Sequence, residues 1–562
     1  MKHFLLKCAV LLFTAFPLFS QNIAREQGLV TDDPIWRQAL GGSVLSLPSV
    51  QAQSAVVALD GGNIRAYSTA GKPMWSFTAR GKISPYVTRS REGTSYLSRT
   101  NGIFIAVNRA GRELWRYTLD DPLCARVITG WDGRLFVPTE KKLYCFTASG
   151  TLLWSKILES PISIAPKLDK SGNIFLALKN GEILKIDPFC NTQVWRTSET
   201  PAVIISIDQK RILAFYKDGT MEEIGASQDW FISAQSGVQP LVLPRLQASP
   251  LAAVCRGDYI AVTMSDGRIT VLSIEEKKIV WTGDTHIRET AKSGVVPETE
   301  AEMLYDERGI YVLSKNGASC FSSEGKRFWF TYLKNAASVP AFGDDGVLYS
   351  GGKDWILYAY KIEDRVLPEK NALFGPLPEG SYGMGRPHTF ETSEIPLNEQ
   401  ERKIKLETIG KAVKEGKIGT NEPEWTGFLL NVSAGTEEPI QFRIAAINLL
   451  GKIGSHETVP WLVNIFQKSG EPTIKSTAIK AIGDIGVDPH GFAIRTFLHS
   501  INQNNIKDDQ VLSAIAAATG SLCRFSGPPL SETGIKILNL LAAGSQPPAT
   551  RRQAGRELAS MR

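Results

Sequence analysis

The sequence lacks most features of a catalytic, nucleic-acid-binding or membrane-spanning protein. Its six histidines are scattered, without the short spacings that metal ligands usually show. The net charge is only +6 over 562 residues, and no block of lysine and arginine forms the basic patch that a nucleic-acid partner would need. The sequence also has no strand-turn-helix nucleophile motif. These gaps argue against a metalloenzyme, a nucleophilic hydrolase and a nucleic-acid-binding protein.

The amino terminus has the pattern of a secretory signal. Lys2 and Lys7 precede an apolar run over residues 8–19, which is too short to cross a bilayer as a helix. Cys8 stands at the start of this run, whereas a lipoprotein signal would need its cysteine after the run. We therefore expect residues 1–20 to be a cleaved signal peptide. The mature protein is expected to be periplasmic or secreted and without a transmembrane segment, with peripheral membrane association left open.

The region from residue 30 to residue 362 repeats a unit of about 40 residues. The unit is clearest at 172–195, where turns and two strands lead to a tryptophan. The tryptophans of the repeats are Trp36, Trp75, Trp115, Trp154, Trp195, Trp281 and Trp329. This period, with apolar residues alternating along the strands, predicts one four-stranded sheet per repeat and an eight-bladed β-propeller.

Two incomplete units lie at the ends of this region. Residues 32–36 have a tryptophan but no strands before it, and residues 338–360 have strands but no tryptophan after them. A propeller must close its ring or leave sheet edges open. We therefore predict that the amino-terminal segment provides the outer strand of the last blade, within a propeller domain that covers residues 21–365.

The repeated tryptophans are predicted to dock neighbouring blades. A large amphipathic ring fills the wedge between two sheets while its N–H donates to a backbone carbonyl. A glycine four residues earlier, such as Gly71 before Trp75, allows the turn that aims the ring. A position that recurs in every repeat serves the repeat and not one ligand.

The cysteines allow two interpretations. Six remain after Cys8 is removed, an even number that would suit disulfides in an oxidising compartment. Cys145 and Cys320, however, occupy the same place in different repeats, which favours buried thiols. Only Cys124 and Cys145 lie in one blade, so that pair is the disulfide that the sequence leaves open.

Residues 62–75, GNIRAYSTAGKPMW, and residues 102–115, GIFIAVNRAGRELW, resemble the repeat of the pyrroloquinoline-quinone (PQQ) enzymes. The resemblance covers residues 30–362 and implies an eight-bladed PQQ-like propeller. This family includes quinoprotein alcohol dehydrogenases and the BamB lipoprotein of outer-membrane β-barrel assembly. It therefore implies either a PQQ- and Ca²⁺-dependent oxidoreductase or a scaffold. The adjacent cysteines and the calcium-binding carboxylates of the enzymes have no counterpart here, so we predict no cofactor, no metal and no catalytic residue.

The pattern changes after the propeller. Prolines and glycines alternate over residues 366–397 and predict an extended linker, which would set the separation of the two domains. Period 3.6 then replaces period 2. Residues 443–454 are echoed at 476–486 and more weakly at 511–520, each helix ending at glycine. This resembles HEAT-type repeats and predicts an α-solenoid over residues 398–562, with a helical bundle as the alternative.

One loop departs from the propeller repeat. Residues 282–297, between the sixth and seventh blades, contain Asp284, His286, Arg288 and Glu289. Loops carry binding in many folds, so these residues form a candidate partner-binding loop, with an ordinary solvated loop as the alternative.

The sequence thus predicts an all-β domain followed by an all-α domain. We expect a monomeric, non-catalytic scaffold of the cell envelope that binds protein partners through its propeller and its helical repeats. PQQ-dependent oxidation and the binding of cell-wall carbohydrate are the alternative functions.

Overall fold

A computed structural model describes most of the chain between residues 33 and 561. The described ranges are 33–51, 54–90, 93–130, 132–169, 171–196, 200–207, 212–225, 241–287, 290–291, 294–295, 300–333, 335–343, 345–363, 397–503, 506–525 and 530–561. The predicted signal peptide and the predicted linker, except Leu397, lie outside them. The domain boundaries near residues 20 and 365 therefore stay predictions.

The described strands form eight four-stranded sheets, which are the blades of an eight-bladed β-propeller, as predicted. Blades 1 to 4 contain β2 Ser49–Gln51, β3 Ser54–Ala58, β4 Asn63–Ser68 and β5 Pro73–Thr78; β6 Thr88–Arg89, β7 Ser95–Ser98, β8 Ile103–Val107 and β9 Glu113–Thr118; β10 Ile128–Thr129, β11 Leu135–Pro138, β12 Lys142–Phe146 and β13 Leu152–Ile157; and β14 Lys167–Leu168, β15 Ile174–Ala177, β16 Ile183–Ile186 and β17 Thr192–Arg196. Blades 5 to 8 contain β18 Ala202–Ile207, β19 Ile212–Tyr216, β20 Met221–Gly225 and β21 Leu241–Val242; β22 Pro250–Arg256, β23 Tyr259–Met264, β24 Arg268–Ser273 and β25 Lys278–Asp284; β28 Ala301–Tyr305, β29 Ile310–Ser314, β30 Gly317–Phe321 and β31 Arg327–Tyr332; and β32 Ala341–Phe342, β33 Val347–Gly351 and β34 Ile356–Lys361 with β1 Trp36–Ala39. A two-stranded ribbon, β26 Thr290–Ala291 and β27 Gly294–Val295, lies between blades 6 and 7 in the chain.

Strand β1 completes blade 8. It runs antiparallel to β34, with Trp36 opposite Ala359 and Ala39 opposite Ile356. The sheet order is β1-β34-β33-β32, so the amino-terminal strand is the outer strand of the last blade. This confirms the prediction made from the two incomplete units.

Burial within a blade follows strand position. In blade 2, every residue of β7 is buried and β8 is nearly so, because neighbouring sheets cover both of their faces. The outer strand β9 carries several exposed residues. The outer strands therefore give the blades their solvent-facing edges.

The carboxy-terminal part contains nine α-helices within the described residues. They are α1 Glu399–Glu415, α2 Glu422–Ala434, α3 Ile440–Ile453, α4 Val459–Lys468, α5 Pro472–Ile485, α6 Phe492–Asn502, α7 Asp509–Phe525, α8 Leu530–Ala542 and α9 Pro548–Met561. Helix α1 begins with a capping box, in which Asn398 and Glu401 each accept the other's backbone N–H. It ends at Gly416 in the left-handed conformation.

The helices pack in two layers. Helices α3, α5, α7 and α9 pack in succession in one layer, and α4, α6 and α8 in the other. A Cβ on Gly451 would lie 2.8 Å from the Cα of Ala481, and a Cβ on Gly483 would lie 2.9 Å from the Cα of Ala518. The repeated glycines thus let the backbones of successive helices approach closely. The helical region is present as predicted, while its identification as HEAT-type repeats stays a prediction.

The chain divides into two compact units. One contains Met1–Pro48 and Val203–Arg365, and the other contains Ser49–Ala202 and Val366–Arg562. The helical region is therefore in the same unit as blades 1 to 4. One apolar core includes Leu153 of the blades together with Leu406 and Phe428 of the helices.

Candidate interaction sites

Among the strands that the structure describes, five outer strands carry the same β-bulge. In β13, Leu152 lies opposite Phe146 and Trp154 lies opposite Cys145, so Leu153 is an extra residue in the strand. The extra residue stands directly before the tryptophan of the repeat in each case: Met74, Leu114, Leu153, Val280 and Phe328. A bulge at a sheet edge changes the direction of a side chain.

The bulge residues differ in exposure. Met74 is 53% exposed, Val280 42% and Phe328 46%, whereas Leu153 is only 1% exposed. Because all are apolar and occupy the same position, the difference comes from what covers Leu153. The exposed members are candidate contact points, since an apolar side chain on an open edge can be buried by a partner.

The helical region covers Leu153. Helix α1 ends at Gly416, where a Cβ would overlap the side chain of Leu152, so only glycine fits this approach. Two residues later, the backbone N–H of Ile418 donates to the carbonyl of Leu153 at 2.9 Å. The Ile418 side chain is itself buried. Blade 3 thus receives a backbone hydrogen bond and an apolar side chain from a distant part of the chain.

A buried ion pair lies beside this contact. The Nη2 of Arg134 donates to Oε1 of Glu422, the first residue of α2, at 2.5 Å. Its Nη1 donates to the carbonyl of Pro188 at 2.9 Å, and the same carbonyl accepts the ring N–H of Trp154 at 2.9 Å. The guanidinium also lies 5.5 Å from the ring centre of Phe189. Helix α2 is therefore linked to blades 3 and 4 through one buried cation.

Burial and charge shift the pKa values in this region. Burial alone would lower the pKa of Arg134, but Glu422 and then Asp132 outweigh it and hold that pKa above its ordinary value. Burial raises the pKa of Glu422 despite the attraction of Arg134. Burial lowers the pKa of His456 to about 4; Asp132 opposes this shift, while His490 and Arg134 add to it. Burial therefore disfavours the charged forms of Glu422 and His456, while the neighbouring carboxylates keep Arg134 charged.

Three of the predicted tryptophans have the expected ring N–H bond. Trp115 donates to the carbonyl of Ala148 and Trp281 to that of Ser323, both at 2.9 Å. Trp154 donates to Pro188 at 2.9 Å. Each acceptor belongs to the next blade along the chain, as blade docking requires.

The remaining tryptophans differ. Trp329 donates to a carboxylate oxygen of Glu363 at 2.7 Å, and the ring of Trp36 lies 5.9 Å from that of Tyr349. The ring N–H of Trp75 is buried and has no acceptor among the described residues. Trp195 lies in β17, but its side chain is outside the described part. The docking role of the tryptophans stays a prediction until its contribution to stability is measured.

The glycines before the tryptophans have a second role, which the spacing of the repeat does not reveal. A Cβ on Gly111 would lie 2.9 Å from the side chain of Trp75, and a Cβ on Gly150 would lie 2.5 Å from that of Trp115. Each glycine therefore contacts the tryptophan of the preceding blade. Both also have a positive φ that other residues rarely adopt.

The candidate loop after β25 is partly described. Asp284, the last residue of β25, accepts the backbone N–H of His286 at 2.8 Å. His286 is exposed, has a φ of 58°, and its ring lies 5.7 Å from that of Phe330. Arg288 and Glu289 lie outside the described residues. The structure brings two of the four candidates into one turn, and their role in binding stays a prediction.

Within the described part of the helices, two exposed aromatic side chains mark a second surface. Trp461 of α4 and Phe492 of α6 are both half-exposed. Trp461 lies the same distance along its helix before Phe466 as Phe492 lies before Phe497, and the rings of Phe466 and Phe497 contact each other at 5.9 Å. Trp461 and Phe492 thus occupy equivalent positions on neighbouring helices.

The cysteines are not paired in the described part of the chain. Cys124 and Cys145 are free thiols, so no disulfide joins them, and Cys145 and Cys320 are buried. Across the described ranges, no three histidine, cysteine or acidic side chains are grouped to hold a metal ion. In the same ranges, no helix combines the length and apolar character that a membrane span needs.

The fold and these sites define a class of protein: an eight-bladed propeller with a helical region packed on its blades, whose repeated surface features are apolar contacts. The family model described as outer membrane protein assembly factor BamB matches residues 100–365. The predicted PQQ-like resemblance is thereby confirmed over these residues. None of the curated proteins matches the chain.

Several solved structures are similar to this chain. BamB from Moraxella catarrhalis is 12% identical, with 58% of this chain and 99% of that chain covered and a TM-score of 0.45. The computationally designed Ika8 protein is 12% identical, with 60% and 99% covered and a TM-score of 0.46. Sqt1 from Saccharomyces cerevisiae is 10% identical, with 60% and 100% covered and a TM-score of 0.47.

Proposed function

We propose that this chain is a non-catalytic scaffold of the cell envelope that holds protein partners on its propeller and on its helical region. One observation carries the proposal: the bulged edge of blade 3 binds another part of the chain through the N–H and the side chain of Ile418. The same apolar position is exposed on other blades, as at Met74 and Val280. The match to an assembly-factor family supports an interaction role.

The envelope location rests on the amino terminus. Residues 1–20 have the charge and apolar pattern of a secretory signal. A periplasmic fraction in which the protein lacks these residues would support the location. Full-length protein in the cytoplasmic fraction would contradict it.

Two surfaces would serve two partners. Blade edges suit recognition by backbone hydrogen bonds with added apolar contacts. Trp461 and Phe492 suit a second partner, because half-exposed aromatic side chains are common centres of binding energy. Ile418 and Glu422 pack on blades 3 and 4, and these contacts fasten the helical region to that part of the propeller. The part that the linker plays in setting the separation stays a prediction.

The test is crosslinked co-purification from the native cell envelope. We would compare the full-length protein with its Trp461→Ala and Phe492→Ala variants and scan the purified protein for a quinone absorbance. Ile404→Ala is the matched control, since Ile404 is an exposed apolar residue on α1. Loss of a specific stoichiometric protein in the aromatic variants alone would support the scaffold.

Three results would overturn the proposal. A bound quinone with a Ca²⁺ requirement and no stoichiometric protein would favour an oxidoreductase. Retention on purified cell-wall material without protein partners would favour carbohydrate binding. Equal recovery of every protein with all three variants would remove the helical surface from the mechanism.

A further inference from the structure

The outer edge of blade 6 repeats the features of the edge that blade 3 uses. In β25, Ile279 lies opposite Leu272 and Trp281 lies opposite Val271, which leaves Val280 as the bulge residue. Ile279 and Val280 therefore correspond to the pair Leu152 and Leu153 of β13. Both positions are aliphatic in both blades.

The two edges differ in what covers them. Leu153 is 1% exposed beneath the helical region, whereas Val280 is 42% and Ile279 is 40% exposed. Tyr259, in β23 of the same sheet and two strands away from β25, is also exposed. An exposed aliphatic pair on a bulged outer strand is unusual for a surface that meets only water.

The other bulged edges match less well. Blade 1 has Pro73 before Met74. Blade 7 has Arg327 before Phe328, and the Arg327 guanidinium lies 4.8 Å from the ring centre of Phe330. Blade 6 therefore has the outer edge most similar to that of blade 3. The segment that covers the edge of blade 3 indicates what kind of segment would bind to blade 6.

That occupant has three defining features. A helix ends at a glycine with positive φ, which passes close to the first aliphatic residue of the pair. The second residue after the glycine, Ile418, donates its backbone N–H to the carbonyl of the bulge residue at 2.9 Å. Its aliphatic side chain is then buried with that of the bulge residue.

We propose that the Ile279–Val280 edge of blade 6 binds a partner protein through a helix that ends in glycine followed, two residues later, by an aliphatic residue. The partner's N–H would donate to the carbonyl of Val280, and its aliphatic side chain would cover Val280. Ile418 of this chain is already buried against Leu153, so the partner is a different polypeptide. This inference rests on the proposed scaffold function and names the partner's recognition segment.

The experiment uses a synthetic peptide with the sequence of residues 399–422 as the probe and the full-length protein as the receptor. The peptide carries a fluorophore at its amino terminus and a photo-reactive leucine in place of Ile418. Fluorescence anisotropy measures affinity, and mass spectrometry maps the crosslinks. We expect saturable binding with crosslinks in residues 278–284.

Matched variants make the test specific. Val280→Ser is expected to weaken binding at least tenfold. Leu304→Ser, which removes an exposed aliphatic side chain from the innermost strand of blade 7, is expected to leave the affinity unchanged. A peptide with Ile418→Ser is expected to lose binding. Circular dichroism of each protein variant checks that the fold is retained.

Several outcomes would overturn the inference. These are the absence of saturable binding, crosslinks only outside residues 278–284, and affinity that is the same in wild type and Val280→Ser. If envelope partners are captured but the peptide does not bind, this inference fails while the scaffold function stands. If the peptide binds at Val280 but no envelope protein is retained, the scaffold function fails while the recognition site stands.

Discussion

Removing Glu422 is expected to destabilise the unit that contains blades 1 to 4 and the helical region. In Glu422→Gln, Arg134 keeps its charge but loses its nearest carboxylate, and the two side chains are only 5% and 6% exposed. Breaking a buried ion pair in this way costs about 3–5 kcal/mol, because the remaining charge is poorly solvated. Asp132 stays 3.3 Å from the Nε of Arg134, so we expect about 3 kcal/mol.

Replacing both partners should behave differently. In the double variant Arg134→Met and Glu422→Leu, both members of the pair are removed, and apolar side chains of similar size fill the same space. Asp132, which is 10% exposed, loses the guanidinium but keeps the hydrogen bond from the backbone N–H of residue 134. We expect its free energy of unfolding to lie within about 1 kcal/mol of wild type. In a cycle with the single variants Arg134→Met and Glu422→Leu, the coupling energy between the two positions would then be close to the sum of the two single costs.

The assay is urea unfolding of the full chain, followed by circular dichroism and tryptophan fluorescence. The matched control is the partly exposed pair Lys405–Glu424, at 2.6 Å. Removing that pair should cost no more than about 1 kcal/mol. The reasoning is refuted if Glu422→Gln costs no more than the control, or if the double variant is as unstable as the single one.

Three further predictions concern pH and packing. Burial holds the pKa of His456 at about 4 in the folded protein, against an ordinary 6.5. The stabilising effect of this shift is present above pH 6.5 and is lost as the pH falls towards 4. Between pH 7 and pH 4, the free energy of unfolding of wild type, measured in urea, should fall by about 3 kcal/mol more than that of His456→Asn. Gly150→Ala should cost about 2–4 kcal/mol in the same assay because of its positive φ and the contact with Trp115. Gly483→Ala should lower the melting temperature, because the new Cβ meets the neighbouring helix. Gly555→Ala meets nothing within 4 Å and should raise the melting temperature, through a gain of up to about 1 kcal/mol in the free energy of unfolding. Equal effects of the last two would contradict the packing argument.

The blade architecture could be predicted because each blade corresponds to one repeat of about 40 residues in the sequence. The tryptophan spacing gave the blade length, and the incomplete first and last units predicted the pairing of Trp36 with the strand that contains Ala359. The bulges also left a sequence signal, since Leu152, Leu153 and Trp154 form an apolar run where a strand should alternate. The repeat pattern does not predict the bulge, because it treats the tryptophan as its end and carries no information on the strand alternation before it.

The packing of the helices on the blades left no comparable signal. Arg134 and Glu422 are separated by 288 positions, and each is an ordinary charged residue in its own segment. Ile418 follows a helix-ending glycine, which predicts the end of α1 but not the strand that its N–H meets. Contacts between different repeat systems depend on surfaces that neither period encodes.

The residue before the tryptophan connects the blade repeat with the packing of the helices on the blades. The bulge directs an apolar side chain outward in β5, β13, β25 and β31, because the extra residue shifts the alternation just before the ring. Such a side chain either stays exposed at the edge of the blade or is covered by another polypeptide segment. Blade 3 uses the second, and the Arg134–Glu422 pair beside it adds an interaction that depends on orientation. A repeat that must place a docking tryptophan thereby also provides an exposed apolar side chain on the outer strand at Met74, Val280 and Phe328.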